Sequence, residues 1–107
     1  MTTPAYTVRI FAGTLPTAWT KFYTAEGATE VIRDLRIHSG AVPNPIAQIS
    51  VQTATGSSAF IVDESPLENN SVYHDEGRVA LVQGDELWAN CPNGDITAYI
   101  TGYRFST

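Results

Sequence analysis

The sequence predicts an all-β fold, an antiparallel β-sandwich of about eight strands with jelly-roll-like connections. Three observations predict it. Apolar residues recur with a period of two along most of the chain, as half-buried strands require. Turn residues interrupt the pattern every ~8–12 residues, and no stretch sustains the period of a helix. Thirteen threonines, with valine, isoleucine and aromatics, raise the β propensity of the runs between the turns.

Residues 6–11 form the first expected strand and end at Ala12-Gly13. Residues 17–24 form the second and stop at Glu26-Gly27. The third, residues 28–39, is the longest. It sets Val31, Leu35 and Ile37 on one parity and Asp34, Arg36 and His38 on the other. Its β-branched residues favour strand over helix where residues 27–35 look ambiguous. Gly40 and Pro43-Asn44-Pro45 close it.

Ala47, Ile49 and Val51 then alternate with Gln48, Ser50 and Gln52. Thr55-Gly56-Ser57 leads to residues 58–62, and Pro66 with Asn69-Asn70 to residues 71–74. Gly77 leads to residues 78–83. After Gly84-Asp85, Leu87, Ala89 and Cys91 alternate with Glu86 and Asn90. Finally Ile96, Ala98 and Ile100 alternate with Thr97 and Thr101. Asn93-Gly94 carries a type I′ signal and predicts that the last two strands form a hairpin.

A chain of 107 residues fits one domain, expected over residues 6–107 behind a short arm, residues 1–5. Such an arm could add a strand to a neighbour. The first ten residues have neither a basic region nor an apolar core, so no signal peptide is expected. No apolar run approaches the ~20 residues of a membrane helix, so no membrane partner is expected either. The net charge of −5 argues against a nucleic-acid surface. The charge is uneven. Residues 1–53 hold four cations and three anions, whereas residues 54–107 hold two cations and eight anions. That acidic half either keeps the protein soluble or complements a basic partner.

Catalytic chemistry is hard to find. His38 and His74 lack metal-ligand spacing, and no DxDxDG loop offers calcium its oxygens. A lone cysteine, Cys91, reads as a small buried hydrophobe. Thr55-Gly56-Ser57-Ser58 resembles a phosphate loop in composition only, because no lysine follows. The pairs Asp63/Glu64, Asp75/Glu76 and Asp85/Glu86 are adjacent on strands, so their members point to opposite faces. The expectation is a non-enzymatic protein without cofactor or metal.

The aromatic residues say more. Trp88, Tyr99 and Tyr103 lie on the parity opposite to the aliphatic face of their strands. A second protomer covering them would make that surface a subunit interface. Trp19, Lys21 and Tyr23 share one parity, and Trp19 with Tyr23 could stack on a sugar ring.

The order L-x-x-G-D-x-L-W over residues 81–88, followed by Thr101-Gly102-Tyr103, resembles the C-terminal half of C1q/TNF-like trimeric jelly rolls. This chain is shorter than that family's usual domain. Residues 6–11, Thr17-Ala18-Trp19-Thr20, residues 22–27 and residues 30–37, with the G-D-x-L and T-G-Y segments, resemble small virion proteins of tailed bacteriophages. Glu26 stands where those commonly have proline. The resemblance implies a homotrimeric capsid decoration or cementing subunit, assembled in the host cytoplasm and residing in the virion. Its partners would be itself and a capsid or tail protein. A head-fibre, minor tail or tail-tip role is the alternative within this class, and a host-surface carbohydrate-binding module is the alternative outside it.

Overall fold

The computed structural model describes residues 5–26, 29–40, 45–64, 72–75 and 79–105. These hold nine strands and no helix: β1 (Ala5–Thr14), β2 (Thr20–Thr24), β3 (Thr29–Ser39), β4 (Ala47–Gln52), β5 (Ser58–Glu64), β6 (Val72–Asp75), β7 (Val79–Val82), β8 (Glu86–Asn90) and β9 (Ile96–Phe105). Residues 1–4 of the expected arm lie outside the described residues, and its last residue, Ala5, belongs instead to β1, opposite Phe105.

Two antiparallel sheets form a sandwich. The first has the order β1-β9-β3-β6, with β7 also paired to β3; the second has β2-β8-β4-β5. β6 and β7 occupy successive halves of one edge, because β6 faces Leu35–His38 and β7 faces Thr29–Ile32. The pairs are nested: β1 with β9, β2 with β8, β3 with β6 and β7, β4 with β5. Successive pairs alternate between the sheets. This is one long hairpin wound into a jelly roll, with its tip at the β4–β5 turn. There Thr53 N–H donates to Ser57 C=O (2.8 Å) and Gly56 N–H to Thr53 C=O (3.0 Å).

Between the sheets lie Leu35, Ile37, Ile96 and Ile100 from one side and Ile49, Val62, Leu87 and Ala89 from the other. Full burial of each Leu or Ile is worth about 1.5–3 kcal/mol relative to exposure. Cys91 is among the fully buried side chains.

The last two strands do not form the hairpin that Asn93-Gly94 predicts. β8 and β9 belong to different sheets. Pro92 draws the turn one residue earlier, where its fixed φ suits the first corner of a type I turn. Gly94 N–H closes that turn on Cys91 C=O at 2.9 Å. Asn93 keeps a negative φ, while Gly94 (75°) and Asp95 (54°) are left-handed and swing the chain into the other sheet.

Bulges set which side chains face the core. Ile10 in β1 and Arg33 in β3 have no cross-strand partner on β9, and the two bulges flank β9 at Ile100–Gly102. An extra residue resets the alternation. In β3 Glu30 and Ile32 therefore point inward before the bulge, and Leu35, Ile37 and Ser39 after it. Val31 does not share the inward parity of Leu35 that the sequence predicts. The bulge also explains Gly102 in the T-G-Y segment: a Cβ there would lie 1.9 Å from the Val31 carbonyl oxygen.

The G-D-x-L segment is a structural tie. Gly84 takes φ +94°, and Asp85, buried, accepts from Val82 N–H (3.0 Å) and from Ala54 N–H (3.3 Å) at the hairpin tip. Ala25 N–H donates to Asp85 C=O (2.8 Å), so one residue joins three segments.

One ionic group bridges the sheets. Glu30 of β3 is fully buried and receives Arg104 Nε of β9 at 2.6 Å. Its other oxygen accepts the Tyr23 hydroxyl of β2 at 2.5 Å, and Arg104 Nη2 donates to that hydroxyl at 3.1 Å. Exposed Glu26 lies 3.9 Å from Arg104. Burial, followed by the bond to Glu30, pushes the Tyr23 phenol up to about 12.

Two outcomes follow from this triad. Arg104→Met should lower the unfolding free energy by about 3–5 kcal/mol, because it leaves a buried carboxylate without its cation. Urea denaturation measures this, and a loss below ~1 kcal/mol, the scale of an exposed pair, would contradict it. The second outcome concerns alkali. The folded Tyr23 value lies above its ordinary value of 10.0, so its contribution is complete below pH 10 and declines as pH rises toward 12. The gap in urea midpoint between wild type and Tyr23→Phe should narrow across that window. A constant gap would separate Tyr23 from the alkaline loss.

Candidate functional site

The two outer faces of the sandwich differ in chemistry. On the β1-β9-β3 face, Arg9, Arg36 and His38 point outward, and Arg33 stands on the bulge of β3. Tyr99 and Tyr103 of β9 lie between these strands, 49% and 38% exposed. The Arg33 guanidinium sits 5.7 Å from the Tyr103 ring centroid, within reach of a cation–π attraction. Its Nε is buried without a hydrogen-bond partner among the described residues. Arg36 Nε lies 3.6 Å from the Asp34 carboxylate. Two shallow hollows open here. One of about 330 Å³ is lined by Thr7, Arg33, Asp34, Thr101, Gly102 and Tyr103. The other, of about 420 Å³, lies around Arg36, His38 and Tyr99.

The outer face of β2-β8-β4-β5 is arranged in rows. In one row Asn90 Nδ2 donates to Gln48 Oε1 and Gln48 Nε2 to Asp63 Oδ1, both at 3.1 Å. The next row runs Lys21, Trp88, Ser50, Phe60 across four strands, and the one after it holds Glu86, Gln52 and Ser58. A groove of about 310 Å³ is lined by Trp19, Ser50, Gln52, Ser58, Ala59, Phe60 and Trp88. Trp19 packs on Phe60 with ring centroids 5.8 Å apart. Trp88 Nε1 donates to Glu86 (3.0 Å), which also binds Lys21 (3.3 Å). Those two partners, the indole first, hold the Glu86 carboxyl below its ordinary value.

The residues expected to act together are therefore divided. Tyr99 and Tyr103 share one face, whereas Trp88 lies on the opposite sheet, so the three cannot form a single patch. Parity along each strand is visible in a sequence, but the sheet to which each strand belongs is not. Trp19 and Tyr23 are separated as well. A bulge at Phe22 breaks the alternation, and Tyr23 turns inward to Glu30 while Trp19 stays exposed. The Trp19–Tyr23 sugar platform does not assemble.

Phe60 takes the place beside Trp19, and sequence reasoning missed it. A bulge at Ile61 lets Val62 face inward opposite Ile49 while Phe60, two residues away, faces outward opposite Ser50. Its only sequence signal was an aromatic that follows two small residues, Ser58 and Ala59. The arginine cluster on the other face was missed because Arg9 is far in sequence from Arg33 and Arg36.

Nothing catalytic comes together among the described residues. No group of three His, Cys, Asp or Glu is placed to hold a metal. Burial pushes the Cys91 thiol up, away from a reactive thiolate. Asp85 and Glu86 point to opposite sides, as alternation requires. Glu68 and Glu76 lie outside the described residues, as do Pro66, Asn69-Asn70, Ser71, Gly77 and Arg78.

No family model matches the chain, and no curated protein matches it in sequence. Solved structures do share its fold. A Bacillus endospore appendage, from a family of disulfide-linked pili, superposes with a TM-score of 0.61 at 6% identity, covering 99% of this chain and 91% of its own. The VP2 protein of infectious bursal disease virus, in a subviral particle, gives 0.62 at 8% identity over 95% of this chain and 32% of its own. A pentameric capsid protein from metagenomic phage sequences gives 0.50 at 19% identity, over 92% of this chain and 61% of its own. At these identities the likeness is one of fold: a β-sandwich also found in viral capsid and pilus proteins.

Proposed function

We propose that the chain is a non-enzymatic structural subunit of a bacteriophage virion, a small decoration or cementing protein that associates with itself on a capsid. The observation that carries this reading is the outer face of β1-β9-β3. Three of the chain's six lysines and arginines, Arg9, Arg33 and Arg36, gather there around two exposed tyrosines, in a protein of net charge −5. Tyrosine and arginine are the residue types enriched at the energetic centres of protein interfaces. Exposed acid elsewhere on the surface, such as Asp63, gives such a face something complementary to meet.

The fold supports the reading by analogy, since similar sandwiches build viral capsids and pili. Head-to-tail contact between a basic face and an acidic one closes into a ring when the rotation allows. Three protomers is the number that the C1q/TNF-like pattern implies, and five is the number of the phage capsid neighbour. In this reading Tyr99 and Tyr103 lie in the subunit contact, and Trp88 does not.

Light scattering of the purified protein tests the association directly. A mass of three or five times 11.6 kDa is the expected result, and a monomer at micromolar concentration removes preassembly. Arg36→Glu should shift the distribution toward monomer, and 0.5 M salt should weaken the wild-type oligomer by screening the same contacts. Co-sedimentation with phage capsids stripped of accessory proteins tests the location. Binding to tails but not heads would move the subunit to the tail, and binding to neither would overturn the virion reading.

A further inference from the structure

We infer that the groove on the outer face of β2-β8-β4-β5 binds an uncharged pyranose. The inference does not rest on the virion reading, whose carrying observation is the arginine and tyrosine face of the other sheet.

The groove combines the two features that a neutral sugar needs. Pyranose rings present C–H faces that pack on aromatic surfaces, and equatorial hydroxyls that exchange hydrogen bonds at the edge. Here the aromatic surface comes from Trp19, Phe60 and Trp88, with Trp19 and Phe60 exposed by 45% and 54%. The polar edge comes from Ser50, Gln52 and Ser58, whose side chains bond no other described residue. Two hydroxyls and one amide supply donors and acceptors together, as a polyol requires. The lining carries no charged side chain. Lys21, beside Trp88 in its row, is already paired with Glu86, so neither an anionic sugar nor an acidic peptide meets an unpaired cation at the groove.

The aromatic walls are held before any ligand arrives. Trp88 is fixed by its indole bond to Glu86, and Glu86 in turn by Lys21. Trp19 is held against Phe60. Side chains already ordered lose little further freedom on binding, which favours a small ligand that offers few contacts. The volume, about 310 Å³, falls at the lower end of the ~300–1,000 Å³ range of ligand sites, where a single ring or a disaccharide fits.

Both tryptophans of the chain line this groove, so intrinsic tryptophan fluorescence reports on it alone. The experiment is a titration of the full-length protein with cellohexaose, maltohexaose and chitohexaose, beside an array of neutral and anionic oligosaccharides. The expected result is a saturable fluorescence change with at least one neutral oligosaccharide. Ser50→Arg, which puts a long charged side chain on the groove floor, should weaken it at least tenfold. Trp19→Ala should do the same on the array. Both variants should retain the wild-type far-UV circular dichroism and oligomer mass. Silence with every neutral sugar would overturn the inference, as would binding of anionic sugars alone. Loss of oligomer mass in Trp19→Ala, with no sugar response in the wild type, would make the groove a protein contact. Retained mass with no sugar response would leave the virion reading standing and remove this one.

Discussion

A single buried carboxylate constrains how the two sheets face one another. Glu30 of β3 sits in the interior, where an unpaired charge would cost several kcal/mol, and its partners come from both sheets. Arg104 lies beside it on β9, while Tyr23 reaches across from β2. Hydrophobic contacts tolerate sliding; this three-way arrangement of short polar bonds does not. A slip of one residue in β3 would carry the carboxylate to the outside and leave Arg104 and the phenol without it.

That constraint decides which aromatic residues remain on the surface. The bulge at Phe22 lets Tyr23 turn inward to Glu30, which removes Tyr23 from the outer face and leaves it to Trp19 and Trp88. The bulge at Arg33 has a matching effect on the other sheet. It sends Glu30 inward and holds Arg33 at the surface against Tyr103. The two outer faces thus owe their chemistry to irregularities in the strands that build them. One gathers arginines around tyrosines, the other sets tryptophans beside the Lys21–Glu86 ion pair, and the core between them is mainly aliphatic.

Much of the architecture is legible in the sequence. The alternation at Ala47–Gln52 and Ile96–Ile100 marks strands whose inward residues are the buried ones, and Gly84-Asp85 marks a turn that exists. Bulges are what a strict period of two hides. Val31 and Tyr23 are each assigned a face by counting from a neighbour, and an extra residue intervenes in both cases. Pro92 hid the last turn in a similar way, because its own preference outweighs the Asn-Gly signal one residue later. Sheet membership was not legible at all. Trp88 and Tyr99 are eleven residues apart and look like neighbours in a hairpin, but a sandwich can place consecutive strands on opposite sheets. For that reason Tyr99 and Tyr103 stay together on one face, while Trp88 lies on the other.

The charge of the tyrosine face also bears on the symmetry of any assembly. A twofold dimer uses the same patch on both copies. Pairing this face with itself would bring Arg9, Arg33 and Arg36 of one copy against an equally cationic surface, with Asp34 already engaged by Arg36. Repulsion between like charges opposes that contact at low salt. A head-to-tail contact instead meets acid, which the chain holds in excess: eleven carboxylates against six lysines and arginines. Such contacts build rings, or open fibres when the rotation fails to close. On this surface, then, electrostatics favours a polar array over a dimer, and the angle between successive protomers decides whether it closes.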